Sequence, residues 1–196
     1  MRAYLIGIGG IGLSALAGIW SEIGHKISGS DREDAAANTL IANLIAKGVK
    51  FHTWHDAQTI LKMRVKPDFV VHSLAIGNDN PELKAARKLG IKIISYPEAL
   101  GMLTRDYYTI AIAGTHGKST VTALIAKILI ENNYDPTVVV GTKLAELGNL
   151  NYRVGQSKIL VIEACEYMRA FLNYHPRIIL INSMESDHLD YYKDED

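Results

Sequence analysis

The sequence contains almost no cysteine. Cys165 is the one thiol among 196 residues, so the chain can form no internal disulfide and no metal site made of cysteines alone. Secreted proteins usually pair their cysteines, whereas cytosolic proteins keep them reduced. We therefore expect a cytoplasmic protein in which Cys165 is a small buried apolar residue.

The sequence also lacks an excess of charge and any apolar run long enough to cross a membrane. Its 21 Lys and Arg residues balance 21 Asp and Glu residues, which leaves no net basic charge to attract nucleic acid or anionic lipid. The apolar stretch 1–20 carries four glycines within residues 7–12, which would weaken a signal-peptide helix but suit a tight turn. We expect neither nucleic-acid binding nor membrane insertion.

What the sequence does contain is an alternation of apolar strand-like runs with helix-like segments. Five predicted strands lie between residues 4 and 95, and four more follow residue 107. This alternation predicts two successive units with parallel sheets. Segments 96–106 and 141–157 are predicted to be a short connection and a long loop, respectively, the latter because it is rich in Gly and Asn.

Proline and glycine mark the ends of several predicted helices. Pro81 occupies the favoured first position of one helix and Gly90 follows its last turn, while Gly24 and Gly48 follow the last turns of two others. No predicted helix follows the last strand, so one face of the second sheet is expected to be uncovered. On this basis the second unit is interpreted as incomplete.

The first glycine loop, residues 7–12, reads "GIGGIG" and follows a predicted strand. Asp31 ends the next strand, at about the spacing of a ribose-binding acid. The pattern is typical of a nicotinamide dinucleotide site, yet the same geometry suits any diphosphate at a helix N-terminus, including that of a UDP-sugar. Glycines that merely pack a helix against a strand are a third reading, and the motif alone does not separate them.

The second glycine loop reads "AGTHGKST" over residues 113–120. Lys118 is expected to neutralise the β and γ phosphates of a nucleotide, the backbone N–H groups of 114–118 to point at them, and Ser119 to offer its hydroxyl to Mg²⁺. Ile112 stands where the strict pattern has glycine, so the loop is a variant. The alternative is an ordinary turn with an incidental lysine.

Oxygen ligands for Mg²⁺ are expected at the ends of later strands in the same sheet. Glu163 ends one strand and His188 follows the next, at the edge to which the second loop delivers its phosphates. Because histidine is a less typical magnesium ligand, the residues alone leave His188 equally open as a ligand or as a neighbouring donor. Glu166, Glu185 and Asp190 are interpreted as solvated surface, the usual fate of charge runs.

Two further loops of the first unit carry polar or aromatic side chains. Ser73, Asn78 and Asn80 follow a predicted strand and suit either sugar or base recognition or ordinary turn chemistry. The segment 52–55, "HTWH", resembles a metal or stacking cluster, but no further ligand accompanies it. A surface loop is therefore the favoured interpretation.

These motifs, in this order, resemble the Mur ligases of peptidoglycan synthesis. The resemblance rests on "GIGGIG", "SGSD", "HSLAIGNDNPE", "AGTHGKST", "EACEY" and "DHLDYY", and it spans nearly the whole chain. It is strongest to the members that join L-alanine to UDP-N-acetylmuramate, with those that recycle murein tripeptide close behind. It implies an α/β fold: a Rossmann-like parallel-sheet UDP-sugar domain over 1–105, and a P-loop α/β ATPase domain, truncated, over 106–196.

The resemblance also implies roles for individual residues. It assigns to the UDP-sugar the residues Gly7, Gly9, Gly10, Ile11, Gly12, Asp31, Ser73, Ala75 and Ile76. It assigns to ATP the residues Gly114, Thr115, His116, Gly117, Lys118, Ser119 and Thr120. Lys118 and His116 take catalytic roles, His116 facing the substrate carboxylate, and Mg²⁺ is bound by Ser119, Glu163 and His188.

The implied reaction joins the two glycine loops in one mechanism. A carboxylate of UDP-N-acetylmuramate attacks the γ-phosphorus of ATP, and the amine of L-alanine then displaces phosphate from the acyl phosphate. The family has a further domain, so we expect these 196 residues to be inactive alone. Ser119 replaces a common threonine, and Cys165 and Met168 stand where acidic or polar residues are usual.

Two other functions remain open at this point. One is an NAD-dependent oxidoreductase, which is disfavoured because such an enzyme has no use for residues 113–120. The other is a non-catalytic UDP-sugar-binding module. The oligomeric state is not predicted.

Overall fold

The computed structural model describes residues 1–185 and divides into two compact units, Met1–Ala99 and Leu100–Asp196. The sequence-based boundary between 105 and 106 lies a few residues later and stays a prediction. No helix within the described residues is both long and apolar enough to cross a membrane.

The first unit is a five-stranded parallel sheet with the order β3-β2-β1-β4-β5. Its predicted α/β alternation is confirmed. The elements are β1 Arg2–Ile6, α1 Ile11–Glu22, β2 Lys26–Asp31, α2 Thr39–Ala46, β3 Lys50–Thr53, α3 Ala57–Leu61, β4 Phe69–His72, α4 Pro81–Lys88 and β5 Lys92–Ser95. Helix α5, Tyr96–Arg105, includes the boundary between the units at residues 99 and 100.

The core of this unit follows from the apolar runs of its central elements. β1 is buried from Ala3 to Ile6, and α1 is buried continuously from Leu13 to Trp20. A helix that is apolar on all sides has to be enclosed by other elements. The sheet centre and α1 therefore form a rigid base beneath the loops that follow the strands.

The helix ends match those predicted from the positions of proline and glycine. Pro81 occupies the first turn of α4, and Asn80 caps it by accepting hydrogen bonds from the N–H groups of Glu82 and Leu83. Gly24, Gly48 and Gly90 follow the C-termini of α1, α2 and α4, each with positive φ. These helix ends were correctly predicted.

The short connection at 96–106, for which no secondary structure was predicted, is mostly helical, because α5 fills Tyr96–Arg105. Ser95 and Glu98 form a capping box: Ser95 N–H and Oγ–H donate to Glu98 Oε2 at 2.7 Å, and Glu98 N–H donates back to Ser95 Oγ at 3.4 Å. The two hydrogen bonds that Ser95 donates hold the pKa of Glu98 below its ordinary value. The S-x-x-E pattern that announces such a helix is present in the sequence.

The second unit is a five-stranded sheet with the order β10-β6-β9-β7-β8, in which β8 alone runs antiparallel to its neighbour. Its strands are β6 Tyr108–Ala113, β7 Thr137–Leu144, β8 Leu150–Arg153, β9 Ile159–Glu163 and β10 Ile178–Ile181. Its helix α6 spans Lys118–Glu131, and 3₁₀ segments span Ala145–Leu147 and Tyr167–Asn173. The four predicted strands are confirmed.

The long loop predicted over 141–157 was wrong. β7 and β8 form a hairpin there, and the β8 residues Asn151 and Tyr152 are buried. Gly148 and Asn149, both with positive φ, form the turn that joins the strands. Two of the Gly and Asn residues that suggested a loop therefore form the turn, whereas Gly141 and Asn151 lie within the strands.

Candidate nucleotide-binding sites

A cavity of about 770 Å³ lies at the carboxyl edge of the first sheet. The strand order changes direction between β1 and β4, and open α/β sheets bind ligands at such a point. Seven of the nine residues predicted for the UDP-sugar line this cavity: Gly7, Gly9, Gly10, Asp31, Ser73, Ala75 and Ile76. The structure therefore brings together residues that are far apart in the sequence.

The first glycine loop is a tight turn with a fixed backbone. Gly7 has φ +83° and accepts a hydrogen bond from Gly10 N–H at 3.1 Å. A Cβ on Gly9 would lie 2.7 Å from Ile41 Cδ1 and 3.0 Å from Asp31 Oδ2. The loop leaves space for a close approach of a ligand only because these positions carry no side chain.

Helix α1 begins at this loop without a side-chain cap, since its N-cap is Gly10. By contrast, α2, α3 and α4 are each capped by the side chain of Asn38, Asp56 or Asn80. A helix N-terminus with no capping side chain is suited to an anion. This contrast favours a phosphate at the first loop.

Ile11 and Gly12 are not among the residues that line the cavity. Ile11 begins α1, and a Cβ on Gly12 would lie 2.5 Å from Tyr96 Cζ. Packing against Tyr96 is enough to require glycine at position 12. Assignment of these two residues to the ligand stays a prediction.

Asp31 contacts the first loop directly. Its Oδ2 accepts a hydrogen bond from Gly9 N–H at 2.8 Å, and its Oδ1 accepts one from Glu33 N–H at 3.2 Å. A carboxylate can accept about four hydrogen bonds in all. Asp31 therefore keeps capacity for a sugar hydroxyl, as predicted for it, while it also orders the loop.

The loop after β4 contains Ser73, Asn78 and Asn80, for which the sequence allowed either ligand recognition or ordinary turn chemistry. Asn80 caps α4, and Asn78 Oδ1 accepts a hydrogen bond from Arg87 Nη2 at 2.6 Å. Both asparagines therefore have ordinary structural roles. Ser73 lines the cavity, and its Oγ accepts a hydrogen bond from Ala75 N–H at 3.3 Å.

The surface-loop interpretation of 52–55 was wrong for His55. The His55 side chain is only 7% exposed, and its Nδ1 lies 3.1 Å from Glu82 Oε2 and 2.9 Å from Ser30 Oγ. Tyr4 also donates its hydroxyl to Glu82, at 2.5 Å. Burial, and then the neighbouring carboxylate, raise the pKa of Tyr4 well above its ordinary value. No sequence pattern indicated that Tyr4, Ser30, His55 and Glu82 lie together.

The second glycine loop lies at the carboxyl edge of the second sheet, between β6 and α6. Gly114 and Gly117 have φ +129° and +75°. A Cβ on Gly114 would lie 2.8 Å from the backbone N and O of Ser183, and one on Gly117 would lie 2.5 Å from Asn182 Nδ2. Glycine is therefore required by close packing against the residues that follow β10.

Some of the loop N–H groups that were expected to face a phosphate have protein partners. Thr115 N–H donates to Ser183 O at 3.1 Å, and His116 N–H donates to Ser183 Oγ at 2.9 Å. His116 itself is exposed, with Nε2 3.5 Å from Glu185 Oε2. The N-terminus of α6 has Gly117 as its N-cap and no capping side chain, so the first turn of α6 is the part of the loop best suited to an anion.

Lys118 is held by three oxygen atoms of the described residues. Its Nζ donates to Gly114 O at 2.6 Å, to Thr115 O at 3.2 Å and to Glu166 Oε1 at 3.1 Å. The interpretation of Glu166 as solvated surface was therefore wrong: its side chain is 24% exposed and pairs with the loop lysine. The sequence indicated such a position for Glu166 only by its place three residues after the strand end at Glu163.

The predicted magnesium ligands can be compared with the structure only in part. Glu163 ends β9 next to β6, in register with Ile112, and its Oε1 accepts a hydrogen bond from Gly141 N–H at 2.8 Å. Ser119 lies in the first turn of α6. A carboxylate and a hydroxyl are oxygen donors of the kind that Mg²⁺ takes, so this donor set fits the ion. His188 lies outside the described residues.

The segment after Glu163 departs from regular structure. Met168 and Arg169 have φ +50° and +55° inside the 3₁₀ segment Tyr167–Asn173. Cys165 is partly buried, and burial raises the pKa of its thiol. A thiol with a raised pKa is a poor nucleophile at neutral pH, so Cys165 is a packing residue here.

The fold is that of an α/β protein with a glycine-rich turn between a strand and a helix in each unit. Two family models match the chain: the Mur ligase family catalytic domain matches residues 2–108, and the Mur ligase middle domain matches residues 112–196. The chain belongs to the Mur ligase family, as the order of its motifs predicted.

Curated relatives of the chain include UDP-N-acetylmuramate–L-alanine ligases. The protein of Caldicellulosiruptor saccharolyticus is 43% identical over 195 residues, which is 98% of this chain and 41% of that protein. The protein of Caldanaerobacter subterraneus is 44% identical over 196 residues, again 41% of its length. The chain thus spans about two fifths of the curated relatives that it matches.

Solved structures give a similar result. UDP-N-acetylmuramate-alanine ligase MurC of Thermotoga maritima matches with a TM-score of 0.87 and 31% identity, covering 99% of this chain and 44% of that one. The UDP-N-acetylmuramate:L-alanyl-gamma-D-glutamyl-meso-diaminopimelate ligase of Neisseria meningitides matches with a TM-score of 0.86 and 27% identity, covering 98% and 63%. The predicted α/β fold class is confirmed.

Proposed function

We propose that this chain supplies the UDP-sugar-binding and part of the ATP-binding machinery of an enzyme that joins L-alanine to UDP-N-acetylmuramate. The observation that carries the proposal is the pair of glycine loops, each at the carboxyl edge of its own sheet and each followed by a helix without a side-chain cap. Family membership and the names of the relatives support the choice of ligands.

In this proposal the first loop binds the diphosphate of UDP-N-acetylmuramate at the N-terminus of α1. Asp31 and Ser73 accept hydrogen bonds from the nucleoside side of the ligand, and Ala75 and Ile76 form part of the wall of the cavity that they line. The neutral loop contributes no charged side chain, so attraction comes from N–H groups and the helix dipole.

The second loop binds ATP at the N-terminus of α6, with Lys118 neutralising the β and γ phosphates. The carboxylate of the bound sugar attacks the γ-phosphorus and ADP leaves, which gives an acyl phosphate. The amine of L-alanine then attacks the acyl carbon and expels phosphate. Activation is needed because an unmodified carboxylate is a poor acyl donor.

Ser119 and Glu163 would hold Mg²⁺, and His188 is proposed as a third ligand. The bound ion would offset phosphate charge and orient the transferred group. His116 is proposed to face the sugar carboxylate; its exposed ring in this structure is compatible with a ligand contact. A cytoplasmic location is part of the same proposal, since Cys165 is a free thiol.

A ligase that transfers a peptide to the same sugar is the second candidate. The specific observation in its favour is the TM-score of 0.86 to the Neisseria enzyme, nearly that of the alanine ligase. The alanine ligase has the higher identity to this chain, and 43–44% identity to two further alanine ligases supports the first choice.

Calorimetric titration of the 196-residue chain with UDP-N-acetylmuramate, and with NAD in parallel, tests the first step. We expect saturable binding of the UDP-sugar and none of NAD. Binding of NAD alone would overturn the assignment of the first loop. A Gly9→Val variant is the matched control, since its side chain would enter the space next to Asp31 and Ile41 and should abolish the binding.

A further inference from the structure

Trp54 is a residue of the first cavity that the proposed function leaves without a role. It lines the cavity, it is 65% exposed, and its backbone has φ +69°. A bulky residue in the left-handed region is strained. Such strain persists where the surroundings enforce it, and it is concentrated at functional sites.

The backbone of Trp54 is fixed on its N-terminal side by the sheet. Its N–H donates to Asp31 O at 2.7 Å, and the preceding residue Thr53 pairs with Asp31 in the ladder between β2 and β3. The backbone of Trp54 is therefore bonded to Asp31, the same residue whose carboxylate orders the first glycine loop.

The backbone is fixed on its C-terminal side by His55. The Nδ1 atom of His55 lies 2.9 Å from Ser30 Oγ and 3.1 Å from Glu82 Oε2, and neither Ser30 nor Glu82 is exposed. Ser30 and Tyr4 each donate a hydroxyl hydrogen bond to Glu82, both at 2.5 Å. A buried polar network whose members are hydrogen-bonded is rigid, because breaking any bond leaves a polar group unsatisfied.

An exposed indole that is held rigidly beside a cavity suits a planar ligand group. The cavity already offers a phosphate-binding loop and a carboxylate for a ribose, so the remaining part of a nucleotide is its base. Aromatic side chains bind bases by stacking on their faces, and a tryptophan loses little conformational freedom when it does so.

We propose that Trp54 stacks on the base of the nucleotide bound in this cavity, and that His55 is a positioning residue that holds the indole there through Ser30 and Glu82. The inference rests on the proposed function, since it requires a nucleotide at the first glycine loop. It gives a role to a segment for which the sequence favoured a surface loop over a metal or stacking cluster.

Intrinsic fluorescence can report this contact because the chain has two tryptophans in different environments. Trp20 is 3% exposed, whereas Trp54 is 65% exposed. We expect UDP to quench the emission of the parent chain, and Trp54→Phe to lose this signal while it keeps most of the affinity. The matched ligand is 5,6-dihydro-UDP, which keeps the polar groups of the base but has a puckered, non-aromatic ring.

The decisive variant is Trp54→Gly, measured by calorimetry with both ligands. We expect it to bind UDP about tenfold more weakly than the parent and to lose the preference for UDP over 5,6-dihydro-UDP. Its melting temperature should equal or exceed that of the parent, because glycine adopts φ +69° without strain. Weaker binding together with undiminished stability separates a ligand contact from a folding defect.

His55 is tested with a matched pair of substitutions. His55→Ala removes the ring nitrogen that contacts Ser30 and Glu82, whereas His55→Asn keeps a polar amide group close to the position of Nδ1. We expect the alanine variant to lose the preference for UDP over 5,6-dihydro-UDP and the asparagine variant to regain it. Should the alanine variant not fold, an asparagine variant that lacks the preference would contradict the positioning role.

The outcomes distinguish this inference from the function on which it rests. UDP binding without quenching, or equal UDP affinity of Trp54→Gly and the parent, overturns the stacking role and leaves the UDP-sugar site intact. Absence of binding of both UDP and UDP-N-acetylmuramate to the parent overturns the proposed site, and the stacking role with it.

Discussion

Lys118 Nζ lies 3.1 Å from Glu166 Oε1, so the cation of the second glycine loop is already paired with a carboxylate. The two side chains are 16% and 24% exposed, and a partly buried pair is screened less than a surface pair. In the proposed site, a nucleotide phosphate therefore competes with Glu166 for Lys118.

We predict that Glu166→Gln tightens ATP binding to the chain by about fivefold to thirtyfold, which corresponds to about 1–2 kcal/mol. The substitution removes the competing charge and its repulsion of phosphate while it keeps a polar side chain. Calorimetric titration measures the effect. The control is Glu185→Gln, which removes a mostly exposed carboxylate near His116 and should change the affinity little. Weaker ATP binding in Glu166→Gln would instead mean that Glu166 contributes to the nucleotide site.

Lys118→Ala is predicted to weaken ATP binding by about a hundredfold, and to abolish ligation in the full-length enzyme, because the charge that neutralises the phosphates is lost. The affinity for UDP-N-acetylmuramate should not change, since the first cavity is lined by residues of the first unit. Both affinities can be measured on the same preparation. The double variant Lys118→Ala, Glu166→Gln removes the unpaired carboxylate and shows how much of the loss is repulsion by Glu166. Unchanged ATP affinity in the single variant would remove Lys118 from the site.

The sequence was most informative where local chemistry determines structure. The tight turn at 7–12 between a strand and a helix, the helix start at Pro81 and the alternation of strands and helices all match the structure, because local spacing specifies them. The capping box of Ser95 and Glu98 could also have been recognised in the sequence, and it would have predicted the helix within 96–106.

The sequence was least informative where function depends on contacts between distant residues. Glu166 pairs with a lysine 48 positions away, and His55 is buried against Glu82, 27 positions away. A charge run or a lone histidine in a sequence gives no sign of such a partner, so both were assigned to the surface. Only the folded chain shows that each is enclosed.

The capping box of α5 should make stability depend on pH. Its hydrogen bonds favour ionised Glu98, so the folded-state pKa lies below the unfolded one, and the stabilisation is present above the unfolded pKa and is lost as the pH falls through the folded pKa. Glu98→Gln should therefore lower the free energy of unfolding near neutral pH by about 0.5–1 kcal/mol at most, because the site is largely exposed. Urea unfolding of both proteins from neutral to acidic pH measures the difference, which should shrink on acidification; a difference that stays constant would contradict the assignment.

Gly114→Ala is predicted to disrupt the second glycine loop itself. The new Cβ would lie 2.8 Å from the backbone N and O of Ser183, in a residue with φ +129°, and backbone atoms cannot move aside as a flexible side chain can. We expect a loss of about 1–3 kcal/mol in the free energy of unfolding and loss of ATP binding. Gly148→Ala is the matched control, because its φ is +69° and nothing lies within 4 Å of the added Cβ. The control carries a backbone penalty of about 1 kcal/mol but no clash. Equal effects of the two substitutions on ATP binding would show that the contact between the loop and Ser183 does not shape the site.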